Sequence, residues 1–416
     1  MPDHLIGLLL GTEDDWPRVF EALVERLPAI EHGGATHTLL TERITNEPFD
    51  LRAKPRYDLV IDRLGWWYEI AREWVKKAAL MDDVYLLNNP FTFQAMEKHS
   101  AYCAMIRLGL KVPETWMVPH KVPTTVPRRE YQLERFEHMA ARYNSPFELE
   151  EVAEQVGYPL YMKPFDGGQW VGVTRIADAQ ELHSVYDASG ERLMHLQASV
   201  EGFDVFVRSL SIGAETMVMR FEPDEPMHLR YAVAHDFLTP EAGWEMVTIS
   251  RLVNAFFRWE FNSCECLVRG EGVHPIDYAN ASPDVALTSL HYYFPWAMET
   301  LVKWCAFCAV TERQLAIDQD KRVYFDVGDR EDMSYEDKLR EYRRLADDYF
   351  QVQEYEEFCA SALPGVRDVS LEYFGGAEFD ELLVEIVKAT FPAHEHEEMV
   401  ARHRGLVGAW VKDQAA

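Results

Sequence analysis

The chain has 416 residues, of which 48% are hydrophobic and 27% are charged, a composition typical of a folded protein with two or three domains. Its 70 acidic and 41 basic residues give a formal charge of −29, which repels nucleic-acid phosphates and anionic membrane surfaces. No apolar run has the length of a membrane span, and the N-terminus lacks a basic segment followed by a cleavable apolar core. The sequence therefore predicts a cytoplasmic protein without nucleic-acid or membrane partners.

The first ninety residues alternate short apolar strands with amphipathic helices. Residues 5–10 (LIGLLL) and 57–64 (YDLVIDRL) have the pattern of buried strands. Fully apolar strands that alternate with helices predict a small parallel α/β domain. Glu13, Asp62 and Arg63 fall at strand ends, where sheets of this kind bind ligands. Surface salt bridges are the competing explanation for these three residues.

Two lysines occupy positions that suit phosphate binding. Lys98 lies in a helix within residues 88–119, a segment that ends in a proline-bounded turn. Lys163 lies in the middle of the apolar strand PLYMKP, where an ammonium without an anion would be costly. Gly167 and Gly168 follow in a turn, and glycine lets backbone N–H groups approach phosphate oxygens. The alternative for Lys163 is a structural ion pair.

The stretch from Cys264 to Asp284 places acidic residues in two neighbouring segments. Glu265 lies inside a short apolar strand, and Asp277 and Asn280 follow the turn RGEGV. Two strands joined by that turn would bring both carboxylates to the same end of a sheet. Hard oxygen ligands suit Mg²⁺, which keeps several waters and shares its other sites with nucleotide phosphates. A hairpin with solvated acids is the alternative.

Four of the six cysteines form a CxC and a CxxC motif, a pattern that also occurs in zinc sites. We favour reduced thiols in the core. Cys264 and Cys266 point away from Glu265 in a strand, so they face the interior if Glu265 faces a cleft. Cys305 and Cys308 lie at i,i+3 spacing on one face of an apolar helix.

In chain order, two lysine-bearing segments, a glycine loop, a polar crossover and a late acid and amide pair resemble the ATP-grasp superfamily over roughly 190 residues. The resemblance implies an α/β (α+β) ATP-grasp fold, with a pre-ATP-grasp parallel domain at 1–90 and a nucleotide-binding and catalytic region at 91–328. Residues 129–156 are a predicted helical insertion. Residues 329–416 are a predicted helical C-terminal region suited to packing on the core or to forming a homodimer.

The resemblance also implies which residues bind ATP and Mg²⁺. Lys98 and Lys163 would contact phosphates, and the segment QASVE would lie against the adenine. The implied nucleotide-binding set is Lys98, Lys163, Gly167, Gly168, Gln197, Ala198, Val200, Glu201 and Asp204. In this set Ala198 and Val200 supply backbone hydrogen bonds, and Glu201 or Asp204 approaches the ribose.

The implied catalytic residues are Arg208 and Lys163. Arg208 is suited to this role because a guanidinium stabilises spreading negative charge through paired N–H donors. The residues predicted to bind a substrate carboxylate are Arg63, Arg220 and Arg230.

The implied metal ligands Glu265, Asp277 and Asn280 depart from the family's pattern of an acid, one residue and then asparagine. Here two residues separate Asp277 from Asn280. Positions i and i+3 of a regular strand point to opposite faces, so a bulge or turn must bring Asn280 round. Otherwise the third ligand is a water, Asp284 or a backbone oxygen.

The activity implied by the resemblance is an ATP- and Mg²⁺-dependent ligation of a carboxylate, by default an amino acid or small peptide, to an amine. Phosphorylation of the carboxylate gives an acyl phosphate whose phosphate leaves readily when the amine attacks, and such catalysis depends on positioning and charge neutralisation. A phosphotransferase acting on a small hydroxyl substrate is the alternative on the same scaffold. A nucleotide-binding regulatory or scaffold protein is the alternative from a different class.

Overall fold

The computed structural model describes residues 3–121, 147–166, 168, 170–280 and 282–415, which form a mixed α/β fold with three sheets and a helical C-terminal part. The predicted α/β class, with a mostly parallel N-terminal sheet and a helical C-terminal part, is confirmed. Gly167 and the part of the predicted 129–156 insertion before residue 147 lie outside the described residues. No helix in the described part of the chain combines the length and apolarity needed to span a bilayer.

The N-terminal sheet is mostly parallel, as the apolar strands predict. Its elements are β1 (Asp3–Leu9), α1 (Asp15–Arg26), β2 (Ile30–His32), β3 (Ala35–Arg43), β4 (Leu59–Asp62), α2 (Glu69–Asp82) and β5 (Tyr85–Leu87). The strand order is β2-β3-β1-β4-β5, and only β2 among these strands runs antiparallel to its neighbour. Every residue of β4 is buried because helices cover both faces, which explains its uniformly apolar sequence up to Asp62.

A second, smaller sheet is antiparallel and has its own core. Its elements are α3 (Lys98–Arg107), β6 (Thr115–Val118), α4 (Leu149–Val156), β7 (Leu160–Pro164), β8 (Thr174–Ile176), α5 (Ala179–Ser189) and β9 (Met194–Ala198), with strand order β6-β9-β7-β8. One face packs Leu160, Met162 and Leu196 against α4 and α5. The alternate residues of β7 and β9 form the opposite face, which carries Lys163 and Gln197.

The third sheet is a five-stranded antiparallel sheet with one long helix on its back. Its elements are β10 (Val205–Ile212), β11 (Glu215–Phe221), β12 (Tyr231–Ala232), α6 (Pro240–Phe257), β13 (Phe261–Arg269) and β14 (Gly272–Asp277), in the order β12-β11-β10-β13-β14. Ser209 of β10 is hydrogen-bonded to Ser250 of α6 at 2.8 Å, which identifies the face that α6 covers. Cys264 and Cys266 are buried, so the prediction that these thiols face the interior is confirmed.

The C-terminal helices pack into the main body of the molecule. They are α7 (Leu287–Leu290), α8 (Phe294–Val310), α9 (Arg322–Gly328), α10 (Tyr335–Phe350), α11 (Val352–Ala362), α12 (Val366–Phe374), α13 (Ala377–Thr390) and α14 (His396–Ala415). They share one hydrophobic cluster with the N-terminal sheet and the third sheet. The buried carboxylate of Glu260 joins these parts, because it accepts hydrogen bonds from Tyr85 (2.6 Å), Trp304 (2.8 Å) and Tyr349 (3.0 Å).

Candidate active site

The candidate site lies where the second and third sheets meet. Residues 199–204 connect β9 of the second sheet directly to β10 of the third. In the third sheet Arg208 pairs in register with Glu265, and Glu265 pairs with Asp277. Residues paired across antiparallel strands point to the same face, so these three side chains form a row across three strands.

Helix α3 brings Lys98 to this row. The backbone N–H of Lys98 donates to the carbonyl of Phe165 at 2.9 Å, which ties the start of α3 to the end of β7. The Lys98 side chain is buried and its ammonium forms a hydrogen-bonded ion pair with Asp277. Although burial opposes it, the neighbouring Asp277 raises the pKa of Lys98. Lys98 therefore lies beside the row formed by Arg208, Glu265 and Asp277.

Lys163 is buried without a carboxylate partner. Lys163 is only 8% exposed, and its Nζ donates a hydrogen bond to Oε1 of Gln197 at 2.7 Å. Lys163 forms no ion pair within the described part of the chain. Burial lowers its pKa to about 8, while the more distant Asp277 opposes this effect. Such an ammonium is an anion receptor that the protein itself leaves unneutralised.

Arg208 and Glu265 form the second charged pair of the site. Arg208 Nη1 lies 3.6 Å from Glu265 Oε1, and Nη2 donates weakly to Ser263 Oγ at 3.4 Å. Burial raises the pKa of Glu265, and Asp277 raises it further against the effect of Arg208. Burial opposes protonation of Arg208, but Tyr231 and Glu265 raise its pKa, so the guanidinium stays charged.

The predicted metal ligands are partly preorganised. The register of β13 and β14 shifts between Glu265 and Cys266, and this bulge lies just before Asp277. Asn280 reaches the same region, because its Nδ2 donates to Ser263 Oγ at 3.2 Å. Its Oδ1 accepts a hydrogen bond from the backbone of Ser282 at 3.3 Å.

Two carboxylates on neighbouring strands suit Mg²⁺, which proteins often hold through one or two carboxylates together with substrate phosphates. The Asp277 side chain is 32% exposed, which makes it the more open of the two. Asp284, the alternative third ligand, caps its own turn through the Ala286 N–H at 3.0 Å. No group of three or more histidine, cysteine, aspartate or glutamate side chains arranged to hold a metal occurs in the described ranges.

The residues predicted to meet adenine and ribose lie in the crossover between the sheets. Gln197 uses its side chain within the protein, since Nε2 donates to Thr115 Oγ1 at 2.8 Å. The Ala198 N–H donates to the carbonyl of Glu114 at 2.8 Å, so a nucleotide contact would use the Ala198 carbonyl. Val200 is buried in the main core.

The two acids of the crossover are engaged with their surroundings. Glu201 is exposed and accepts hydrogen bonds from Ser199 (2.6 Å) and Arg175 (3.1 Å), which lower its pKa. Asp204 accepts the Gly270 N–H at 2.7 Å and so supports the β13–β14 turn. Gly168 is exposed in the loop after β7.

The three arginines predicted to bind substrate have different positions. Arg63 is buried and pairs with Glu13 at 2.6 Å, and its carbonyl accepts a hydrogen bond from Ser282 at 3.4 Å, close to the metal-ligand segment. Arg208 pairs with Met219, so Arg220 points to the opposite face of the sheet. Arg220 instead binds Glu222 at 2.7 Å. Arg230 donates to the carbonyl of residue 225 at 2.8 Å, and neither of these two arginines joins the cluster.

Sequence reasoning missed three polar residues beside the predicted ones. Ser263 contacts Arg208 and Asn280, His195 lies opposite Lys163 in register, and Thr115 binds Gln197. The sequence contains a signal for His195, because His195 and Gln197 are polar residues at alternate positions of an otherwise apolar strand. That pattern indicates a polar face directed at a site.

Two cavities elsewhere in the molecule do not coincide with this cluster. One of about 900 Å³ is lined by residues of α8, α10 and α11 together with His32 and Arg313. The other, of about 530 Å³, lies beside Trp244, Glu245 and Tyr335. Neither is lined by the charged cluster, so the assignment of the site depends on its chemistry and not on cavity size.

No protein-family model and no curated protein matches the chain. Solved structures that it is similar to include a RimK-domain ATP-grasp protein from Sphaerobacter thermophilus, with 13% identity, a TM-score of 0.47, and coverage of 72% of this chain and 98% of that one.

Two further similar structures are ligases. A D-alanine–D-alanine ligase from Bacillus anthracis complexed with ATP has 12% identity, a TM-score of 0.49, and coverage of 74% and 98%. The VanG D-Ala:D-Ser ligase from Enterococcus faecalis has 12% identity, a TM-score of 0.43, and coverage of 83% and 100%. At such identities, and with TM-scores below 0.5, these likenesses carry no argument, so the function rests on the charged cluster.

Proposed function

We propose that the protein is an ATP- and Mg²⁺-dependent ligase of the ATP-grasp type that joins a carboxylate to an amine. The observation that carries this proposal is the convergence of the buried lysines Lys98 and Lys163 and the largely buried Arg208 on the paired carboxylates Glu265 and Asp277. The proposed organisation is a substrate-contacting unit at 1–90, a nucleotide-binding unit at 91–328 and a helical unit at 329–416.

The electrostatics of the cluster favour a polyanion that carries metal. Lys98 and Arg208 each face a carboxylate, whereas Lys163 has only a neutral acceptor. The protein as a whole carries a formal charge of −29, so local cations are needed to attract an anion into this cleft. A triphosphate meets this requirement, because its oxygens suit the ammonium groups.

Glu265 and Asp277 would hold Mg²⁺. The bound ion would neutralise part of the phosphate charge. Asp277 now binds Lys98, so we expect Lys98 to turn from the carboxylate to a phosphate oxygen when the nucleotide enters. Asn280, whose amide lies beside Ser263, would complete the oxygen ligands or orient them.

The proposed reaction has two steps. A substrate carboxylate oxygen bonds to the terminal phosphorus of ATP, and the bond to the ADP oxygen breaks. The amine nitrogen then bonds to the acyl carbon, inorganic phosphate leaves with the electron pair of the carbon–oxygen bond, and the nitrogen loses a proton. Arg208 would stabilise the charge that spreads over the transferred phosphoryl group, while Lys163 would position it. Arg63 would face the carboxylate substrate from the N-terminal unit.

A screen of ADP and phosphate release tests the proposal. Purified protein is supplied with ATP, Mg²⁺ and pairs of amino acids or small peptides, with each compound also tested singly. Ligation predicts release only when an acid and an amine are both present. Release with one hydroxyl compound alone would instead identify a phosphotransferase.

Paired variants separate an enzyme from a nucleotide-binding scaffold. Asp277→Asn should remove turnover, whereas Glu271→Gln, in the exposed turn of the same hairpin, should leave it unchanged. Absence of any ATP binding by the wild-type protein would overturn the proposal.

A further inference from the structure

The second sheet contains a hydrogen-bond chain that ends at the buried Lys163 ammonium. Lys163 Nζ donates to Gln197 Oε1 at 2.7 Å, and Gln197 Nε2 donates to Thr115 Oγ1 at 2.8 Å. The Thr115 hydroxyl in turn donates to the carbonyl of Pro113 at 2.7 Å. Gln197 is only 1% exposed, so water does not compete for its amide.

The direction of every bond in this chain is determined by its two ends. A carbonyl can only accept, so the Thr115 hydroxyl donates to Pro113 and its free lone pair accepts from the Gln197 NH₂ group. An ammonium can only donate, so Lys163 requires the amide oxygen. Both ends therefore select the same orientation of the Gln197 amide, with its oxygen directed at Lys163.

A neutral acceptor has a consequence that a carboxylate would not have. A glutamate at this position would pair with the ammonium and cancel the charge that a phosphate needs, whereas glutamine holds the ammonium and leaves the charge uncancelled. The charged and titratable groups that face Lys163 are Lys98, Glu265, Asp277 and His195 from the elements packed around it, and Tyr161 from its own strand. His195 stays neutral because burial lowers its pKa to about 3.

We propose that Gln197 is a positioning residue that holds the Lys163 ammonium in place for the nucleotide phosphates without neutralising it, and that Thr115 fixes the Gln197 amide for this task. The inference rests on the proposed binding of ATP in this cleft. It assigns the Gln197 side chain to the lysine and leaves adenine recognition to the backbone of the crossover.

Binding of ATP, measured by calorimetric titration between pH 7 and pH 10, tests this role. Gln197→Glu should weaken binding about tenfold at pH 7, since the new carboxylate competes with the phosphates for Lys163. It should also move the alkaline loss of binding, expected near pH 8 in the wild type, to higher pH. Gln197→Leu should weaken binding and move that loss to lower pH, because the ammonium loses its acceptor.

Variants of Thr115 separate positioning from general structural damage. Thr115→Val should weaken ATP binding about threefold, and Thr115→Ser, which keeps the hydroxyl, should restore wild-type affinity. Thr248→Val is the matched control, because the buried Thr248 hydroxyl has no hydrogen-bond partner among the described residues. It should change neither the affinity nor its dependence on pH.

The outcomes distinguish this inference from the proposed function. A wild-type protein that does not bind ATP would overturn both. A wild-type protein that binds ATP, with Gln197→Glu and Thr115→Val showing the same affinity and the same pH midpoint, would overturn the role of Gln197 alone. Should Gln197→Leu fail to fold, the Thr115 pair decides the question.

Discussion

Replacing Lys163 with methionine should leave the protein at least as stable as the wild type at neutral pH while removing nucleotide binding. Methionine has a similar length and no charge, so it fills the same buried space without requiring an anion. A gain in stability on deleting a residue is expected where binding requires a strained or poorly solvated group. The variant therefore tests whether Lys163 is held for a ligand or for the fold.

The size of the effect follows from the pKa of the buried ammonium. Burial lowers this pKa from 10.5 to about 8, so at pH 7 the charged side chain opposes folding by about 3 kcal/mol. Methionine removes that term but leaves the Gln197 amide oxygen without its donor, a loss of about 1–3 kcal/mol. The net expectation is a variant that is as stable as the wild type or up to about 2 kcal/mol more stable.

The dependence on pH gives a second and independent check. The folded-state pKa lies below the unfolded value, so the penalty is fully present below about pH 8 and declines as the pH rises towards 10.5. Urea unfolding of both proteins should therefore show that the free energy of unfolding of the wild type, relative to that of the variant, is higher at pH 10 than at pH 7. Lys388→Met, at an exposed position on α13, is the control and should match the wild type throughout.

Two stability results would refute this reasoning. One is a variant less stable than the wild type by more than about 3 kcal/mol at pH 7, which would make Lys163 a structural residue. The other is a stability difference that is the same at pH 7 and pH 10, which would mean that the ammonium is not desolvated. Retention of wild-type ATP affinity by the variant would remove Lys163 from the nucleotide site.

Three further predictions concern other parts of the molecule. Arg208→Lys should lower kcat for ADP release about 100-fold with little change in KM for ATP, because one ammonium replaces a guanidinium at the developing charge; equal changes in both constants would contradict this. Glu260→Gln should lower stability by about 3 kcal/mol in thermal unfolding, since the carboxylate faces Arg313 and three other donors, whereas exposed Glu357→Gln should not. Thiol titration of the native protein should find exposed Cys103 reacting fast, half-buried Cys359 reacting more slowly because burial raises its pKa to about 11, and all six cysteines reacting after denaturation; fast reaction of any of the four buried thiols would contradict the structure.

The sequence determined the local elements and the faces on which their residues lie. Uniformly apolar runs separated by helices predicted the parallel N-terminal sheet, and alternation around Glu265 predicted which way Cys264 and Cys266 point. The turn RGEGV predicted the hairpin that sets Glu265 opposite Asp277. These inferences succeed because the periodicity of a strand and the chemistry of a turn are properties of a few consecutive residues.

Only the tertiary structure decided which of the candidate residues meet. The register of β10 against β13 pairs Arg208 with Glu265, and nothing within either of these two distant strands specifies that register. The engagement of Gln197 with Lys163 and Thr115 likewise requires β6, β7 and β9 to lie side by side. Register between distant strands is determined by packing of the whole sheet, so a single strand's pattern gives the face of a residue but not its neighbours.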